Sequence, residues 1–106
     1  MLERQSHKFN AKPTINDGIR FDSKLEARYY TKLKQMQRMG EVVFFLRQVP
    51  LHLPGKTKLV VDFQVFYADG SVSFVDVKGM RTDTYKVKKR EVEAAYPIRI
   101  EEVTSV

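Results

Sequence analysis

Two apolar segments joined by a short turn constrain the fold of this 106-residue chain most strongly. The segments LVVDFQVFY at 59–67 and SVSFVDVKG at 71–79 are rich in β-branched and aromatic residues, and the turn residues ADG separate them. This pattern predicts a β-hairpin. Each strand is interrupted by one acid, Asp62 or Asp76, where a half-buried sheet normally carries an apolar residue. Whether these two carboxylates meet depends on the register of the hairpin.

Two turn types give opposite answers about the two aspartates. With Asp-Gly as a two-residue type I′ turn, Asp62 would face Val77, and the aspartates would lie on opposite faces of the sheet. With ADG as a three-residue loop and Gly70 left-handed, Asp62 falls directly opposite Asp76. We favour the second register because it gathers the apolar side chains on one face. That face comprises Leu59, Val61, Phe63, Val65, Tyr67, Ser73, Val75 and Val77.

In this register the opposite face carries a pair of acids. Their Cβ atoms would lie about 5 Å apart, which is repulsive for two anions unless a cation sits between them. Ligation by oxygen alone favours a hard ion, so we expect Mg²⁺, with Mn²⁺ as a substitute. Lys78 lies two residues beyond Asp76 and therefore on the same face, where it could serve an attacking water and a phosphate. The alternative is an ordinary salt bridge between Asp76 and Lys78.

A helix is predicted at about residues 23–39. Ser23 and Glu26 have the spacing of a capping box, and apolar residues recur after them at helical intervals. These residues are Leu25, Tyr29, Leu33 and Met36. Glu26 lies at the edge of this apolar stripe, so its carboxylate could approach the metal. The alternative is that Glu26 only closes the capping box.

The remaining pattern predicts one α+β domain. A strand is expected at 42–46, a second helix at 83–95, and a last strand at 98–103. The order αβββαβ implies a mixed, mostly antiparallel sheet flanked by helices. Residues 1–20 are polar and basic without a sustained period, so we interpret them as an arm, with the domain at 21–106.

Charge and composition indicate the class of partner. The net charge of +6 and the pI near 9.7 favour a polyanion, although a basic surface can also serve solubility alone. The chain has no cysteine, no apolar run long enough for a membrane span, and no apolar stretch in its first ten residues, MLERQSHKFN. We expect a soluble cytoplasmic protein that binds DNA and no membrane.

The second predicted helix concentrates basic residues beside the end of the Asp76 strand. Its cations should meet phosphates, while Val87 and Val92 pack against the sheet. The alternative is a solvated helix face. Together with the basic arm, the predicted DNA contacts are Lys8, Lys12, Arg20, Thr82, Tyr85, Lys86, Lys88, Lys89 and Arg90.

An early-helix glutamate followed by V-D and D-V-K in successive strands resembles the PD-(D/E)XK nuclease superfamily. The chain is also similar to a family of small phage-encoded proteins, long listed as a domain of unknown function and thought to be nucleases akin to Holliday-junction resolvases. The matching stretches are DGIRFDSKLEARYY at 17–30, LRQVPLHL at 46–53, VDFQVFYADG at 61–70 and DVKGMRTDTYKVKKR at 76–90. They cover nearly the whole chain, with Val61 in place of the usual proline.

The resemblance implies a restriction-endonuclease-like core and assigns the site. The implied metal ligands are Asp62, Asp76, the Val77 carbonyl and Glu26. Lys78 would serve the attacking water. Gln48 would lie near the scissile phosphate, or else be an ordinary polar residue at the end of a strand.

The function expected from these features is a Mg²⁺-dependent DNA endonuclease. It would be structure-selective for branched or Holliday-junction DNA in phage recombination or replication, because few residues are available to read base edges. A homodimer is expected if two strands are cut together. The alternative is a noncatalytic DNA-binding or phage assembly adaptor on the same fold. An RNA-binding module is disfavoured because paired RNP motifs are absent.

Overall fold

The computed structural model describes residues 13–78 and 81–106, which form one four-stranded sheet, one small hairpin and two helices. The elements are β1 (Thr14–Asn16), β2 (Ile19–Phe21), α1 (Lys24–Arg38), β3 (Val42–Leu53), β4 (Thr57–Tyr67), β5 (Val72–Val77), α2 (Asp83–Ala95) and β6 (Ile100–Val103). The sheet order is β3-β4-β5-β6, antiparallel except for the parallel pair β5-β6. The predicted α+β class is confirmed. Neither helix in the described ranges is long and apolar enough to cross a membrane.

The N-terminal segment is more ordered than its sequence predicts. Strands β1 and β2 pair as an antiparallel hairpin, so the expectation of an irregular arm is wrong for residues 14–21. Asp17 and Gly18 form its turn with φ values of 54° and 72°, the pair of positive angles that a type I′ turn requires. The boundary expected after residue 20 falls within β2. Lys8 and Lys12 lie outside the described residues.

This hairpin is attached to α1 by side-chain hydrogen bonds. The Asn16 amide donates to the Thr31 hydroxyl at 2.8 Å, and the Tyr30 hydroxyl donates to Asp17 at 3.0 Å. The Phe21 side chain is fully buried and its ring lies 5.1 Å from that of Tyr30. The hairpin therefore belongs to the folded domain.

Helix α1 begins where the capping signal predicts and packs on the apolar face of the sheet. The Ser23 hydroxyl accepts a hydrogen bond from the Glu26 backbone N–H at 3.1 Å. Tyr29 packs on Phe63 with the ring centres 5.3 Å apart, and Leu33 is fully buried. These contacts fix the inner face of α1, including Glu26, against β3, β4 and β5.

The β4–β5 hairpin has the register of a three-residue loop. Phe63 pairs with Val75, the Tyr67 N–H donates to the Ser71 carbonyl at 2.9 Å, and Gly70 has φ of 91°. This confirms the register in which the two aspartates face each other. The regular pairing nevertheless ends at Phe63 and Val75, although both strands continue. The aspartates therefore lie just beyond the last pair, where the strands part.

Helix α2 covers the sheet on the far side of this parting. Tyr85 and Val92 are buried in a cluster with residues of β3, β4 and β6. These partners are Leu51, Leu53, Leu59, Val61 and Ile100. The expectation that Val87 packs inward is wrong, since Val87 is 44% exposed. Two residues after Tyr85 it points about 200° away around the helix.

Replacing Leu33 with alanine should test how strongly α1 is held on the sheet. We expect Leu33→Ala to lower the free energy of unfolding by about 2–5 kcal/mol, because it leaves a cavity in the core. The matched control in the same helix is the exposed Gln35, for which Gln35→Ala should stay within about 0.5 kcal/mol of wild type. Urea unfolding followed by circular dichroism measures both, and similar small losses would contradict this packing.

Candidate active site

The parting of β4 and β5 is bridged by the two aspartate side chains. The Asp62 backbone N–H donates to Asp76 Oδ1 at 2.9 Å, and the Val77 backbone N–H donates to Asp62 Oδ2 at 2.8 Å. Buried backbone donors need partners, and here carboxylates supply what main-chain carbonyls supply elsewhere in the ladder. Both acids are therefore held in the gap between the strands.

Gln48 links Glu26, the third predicted acid of the site, to Asp62 in this gap. Its Nε2 donates to Glu26 Oε2 at 3.3 Å and to Asp62 Oδ1 at 3.4 Å. Its backbone has φ of 54° in the middle of β3, a left-handed conformation that is uncommon for a residue other than glycine. Such strain persists only where the surroundings impose it, and it is concentrated at functional sites. The side chain is thus aimed between two site acids.

Glu26 serves the helix cap and the site with different atoms. Its backbone N–H bonds to the Ser23 hydroxyl, whereas its carboxylate accepts from Gln48 and lies 3.7 Å from the Arg47 guanidinium. The residue is only 5% exposed. Ser23 therefore caps the helix, but among the described residues the Glu26 carboxylate does not return to the Ser23 N–H to close the capping box and is turned to the site instead.

The three acids share a poorly solvated environment that disfavours their charged forms. Burial raises the pKa of Glu26 to about 7, and the Asp62 charge adds to the shift. Burial likewise raises the pKa of Asp62 to about 6, with a further contribution from Asp76. The pKa of Asp76, which is fully buried, is raised by burial as well. Without a cation, such a site favours protonated carboxyls.

Lys78 stands within electrostatic reach of all three acids. Its positive charge opposes the rise in pKa of Glu26, of Asp62 and of Asp76. Its ammonium lies 4.6 Å from the centre of the Tyr85 ring, in a cation–π contact. Among the described residues it forms no direct ion pair with either aspartate, so the structure differs from a simple salt bridge.

The chemistry of the aspartate pair fits a hard divalent cation. Asp76 Oδ2 is buried and has no hydrogen-bond partner in direct contact among the described residues, since the Tyr85 hydroxyl, which lies near enough to lower the pKa of this carboxyl, donates to Glu102. One carboxylate oxygen is therefore available for ligation. The described residues contain no set of three acid, histidine or cysteine side chains placed to hold an ion by themselves. Glu26 is linked to the pair through Gln48. Backbone carbonyls and water would have to complete the shell, as they commonly do for Mg²⁺.

The structure places part of the predicted DNA surface in the interior. Tyr85 is 7% exposed, and its hydroxyl donates to Glu102 at 3.3 Å. The Lys89 ammonium donates to the same carboxylate at 2.9 Å. The Thr82 hydroxyl accepts from the Tyr85 backbone N–H and caps α2. Tyr85 and Lys89 are thus engaged within the domain and are not open phosphate donors, whereas Thr82 is exposed and its capping hydroxyl, which only accepts here, can still donate its own proton.

The other predicted DNA contacts are closer to solvent. Arg20 is exposed and lies 3.9 Å from Asp22, and Lys86 lies at the same distance from Asp83. Arg90 is exposed and Lys88 is half-buried. Lys86 and Arg90 are therefore the cations that α2 presents most openly.

Two residues beside the site were missed by sequence reasoning. Arg47 stacks 4.5 Å above the Phe21 ring and reaches Glu26, so it joins the N-terminal hairpin to the site. The sequence did offer a clue to Arg47, because a charged residue occupies a position of β3 on the apolar face of the sheet, opposite Phe63. Glu102, on β6, gathers Tyr85, Lys89 and Arg81; it carried no local signal.

Comparison with known proteins places the chain in a family. A family profile described as "Protein of unknown function (DUF1064)" matches residues 6–104. The chain belongs to this family. No curated protein and no solved structure matches it. The resemblance is confirmed at the level of a family of unknown function, so the activity must be argued from the site.

The raised pKa values predict that the metal-free protein loses stability as pH rises. A carboxyl with a raised pKa keeps its proton longer in the folded than in the unfolded chain, so the folded state binds more protons between about pH 4 and pH 7. The free energy of unfolding therefore falls across this window. In EDTA we expect the melting temperature to be lower at pH 8 than at pH 5.

The matched control is the double variant Glu26→Gln/Asp62→Asn, which cannot titrate at these positions. Asp69 and Glu102 have lowered pKa values and act with the opposite sign, so the informative quantity is the difference between the two proteins. The variant should lose less stability from pH 5 to pH 8. Equal pH dependence in both proteins would contradict the electrostatics described for the site.

Proposed function

We propose that this protein is a metal-dependent endonuclease that hydrolyses DNA phosphodiester bonds with a site of the PD-(D/E)XK type. One observation carries the proposal. Two aspartates bridge the gap between parting strands, with raised pKa values, an unpartnered Asp76 Oδ2, and the Lys78 ammonium nearby. Perturbed acids in such a constellation are typical of functional sites.

The aspartate pair would hold Mg²⁺ or Mn²⁺. Asp62 and Asp76 supply the carboxylate oxygens, and the resemblance adds the Val77 carbonyl and Glu26. When bound, the ion would polarise the phosphate and lower the pKa of a water molecule. A cation would also stabilise the charged forms of these acids, whose pKa values are raised mainly by burial.

The protein's own residues would orient the reactants. Lys78, held over the Tyr85 ring, can place its ammonium beside the attacked phosphate and stabilise the charge that develops on it. Gln48 bridges the Glu26 and Asp62 carboxylates by donating to both, which holds them in fixed orientations.

The proposed substrate is branched DNA. The net charge of +6 supports binding to the phosphate backbone, and few exposed side chains near the site are suited to read base edges. By its resemblance to resolvase-like phage proteins, the enzyme would act in phage recombination or replication in the cytoplasm of a bacterial host. A homodimer would cut both strands of a symmetric junction.

A cleavage assay with Asp76→Asn tests the nuclease directly. Wild type should cut labelled DNA with Mg²⁺ or Mn²⁺ but not with EDTA, and Asp76→Asn should lower the rate on the order of a hundredfold or more, because it removes a ligand charge. The panel contains single-stranded, duplex, flap and four-way junction DNA. The junction should be cut fastest.

Asp69→Asn is the matched control, since Asp69 lies in the loop of the same hairpin and is exposed. It should retain activity. Cutting by Asp76→Asn at the wild-type rate would contradict the assignment. Tight DNA binding without cutting of any substrate would indicate the noncatalytic adaptor instead.

Metal binding can be measured separately from cleavage. At pH 8, Mn²⁺ should raise the melting temperature of wild type, since a ligand at about a hundredfold excess over its Kd stabilises by about 2.7 kcal/mol. Asp69→Asn should show the same rise, and Asp76→Asn a much smaller one. An equal rise in all three proteins would place the metal elsewhere.

A further inference from the structure

The outward face of α1 carries a concentration of positive charge. Five basic residues occupy this helix, and its one acid, Glu26, is turned inward and buried. The five are Lys24, Arg28, Lys32, Lys34 and Arg38. Lys24, Arg28, Lys32 and Arg38 are exposed. The outer side of α1 is therefore positively charged along its whole length.

Helix α2 looks equally basic in the sequence but is largely neutralised in the structure. Lys86 lies beside Asp83, and Lys89 is bound to Glu102. Two further acids, at positions 91 and 93, occupy the same helix. The structure thus shifts the principal positive surface from α2 to α1.

The spacing on α1 is unfavourable for the helix itself. Lys24, Arg28 and Lys32 follow one another at i, i+4, where like charges destabilise a helix by a few tenths of a kcal/mol per pair. Lys24 also lies in the first turn, where a cation opposes the helix dipole. Among the described residues, none of the three has an ion-pair partner. Lys32 alone has a compensating contact within the helix, its ammonium lying 6.0 Å from the centre of the Tyr29 ring, so helix stability does not account for the stripe as a whole.

A groove runs beside two of these cations. It lies between the β1–β2 hairpin and α1 and has a volume of about 290 Å³. Its lining comprises Thr14, Ile15, Asn16, Lys24, Ala27, Arg28 and Thr31. The Asn16–Thr31 hydrogen bond fixes the hairpin against the helix, so the groove wall is held in place. The groove is shallow and mostly apolar, and the two cations at its edge, Lys24 and Arg28, are placed to contact an anionic backbone that runs along it.

We infer that the outward face of α1, with the groove beside it, binds the phosphate backbone of DNA. Lys24 and Arg28 point about 200° away from Glu26 around the helix. This surface therefore cannot contact the phosphate at the acid cluster and must contact a different segment of the same DNA. The inference goes beyond the proposed function, since it applies whether or not the protein cleaves what it binds.

The two helices offer a matched pair of variants. Lys24→Gln/Arg28→Gln and Lys86→Gln/Arg90→Gln each remove an exposed lysine and an exposed arginine four residues apart, so both change the net charge equally. Fluorescence anisotropy with duplex and four-way junction DNA, over a series of salt concentrations, compares them with wild type. The buffer contains EDTA, so that binding is measured without cleavage.

We expect the α1 variant to bind DNA roughly tenfold more weakly at moderate salt. The slope of log K against log salt should also become shallower by about 1 to 2, because each lost phosphate contact removes about 0.9 from its magnitude. The α2 variant should lose less than half as much. The α1 variant should also melt no lower than wild type, because a repulsive pair has been removed. This stability readout separates a binding role from a structural one.

Equal losses in the two variants would overturn the inference, because they would show a response to net charge alone. A larger loss in the α2 variant would restore α2 as the main DNA surface and would overturn it too. Tighter binding of duplex RNA than of duplex DNA, with the same dependence on α1, would contradict the assignment to DNA. None of these outcomes depends on nuclease activity.

Discussion

Much of the structure around the candidate site depends on two hydrogen bonds, in which the backbone N–H groups of Asp62 and Val77 donate to the carboxylates of Asp76 and Asp62. Because the Asp62 and Val77 N–H groups are satisfied by carboxylates, β4 and β5 can part without leaving buried donors unpaired. Beyond the parting, α2 packs against β3, β4 and β6. Asp76 is fully buried at the parting and Asp62 is half-buried, and burial is the main cause of their raised pKa values. The same pair of side chains therefore completes the backbone hydrogen bonding and forms the candidate site.

The parts of the fold that could be predicted were those set by local chemistry. Ser23 fixed the start of α1, and Gly70 with the alternating pattern of β4 and β5 fixed the hairpin register. The parting itself could not be predicted, because the alternation of β4 continues unbroken from Leu59 through Val65. The β1–β2 hairpin had an Asp-Gly signal, but strands of three residues are too short to show a period.

The sequence predicted which residues form the candidate site but not how their side chains contact one another. Lys78 does come within electrostatic reach of Glu26, Asp62 and Asp76, and Asp62 within reach of the other two acids. Hydrogen-bond and ion-pair partners that lie far apart in the chain could not be predicted. Lys89 was interpreted as a phosphate contact because Glu102, which binds it, lies thirteen residues away on another strand. The same limitation hid the difference in exposed charge between α1 and α2.

Several features that destabilise the fold lie together at the candidate site, which favours a function that requires them. A left-handed Gln48, an unpartnered Asp76 oxygen and a buried Glu26 beside Asp62 each reduce stability. Proteins usually violate local rules at functional sites. An adaptor that only binds DNA would need the positive face of α1 and none of these features. The proposed metal-dependent chemistry at the parting of the strands would account for all of them at once.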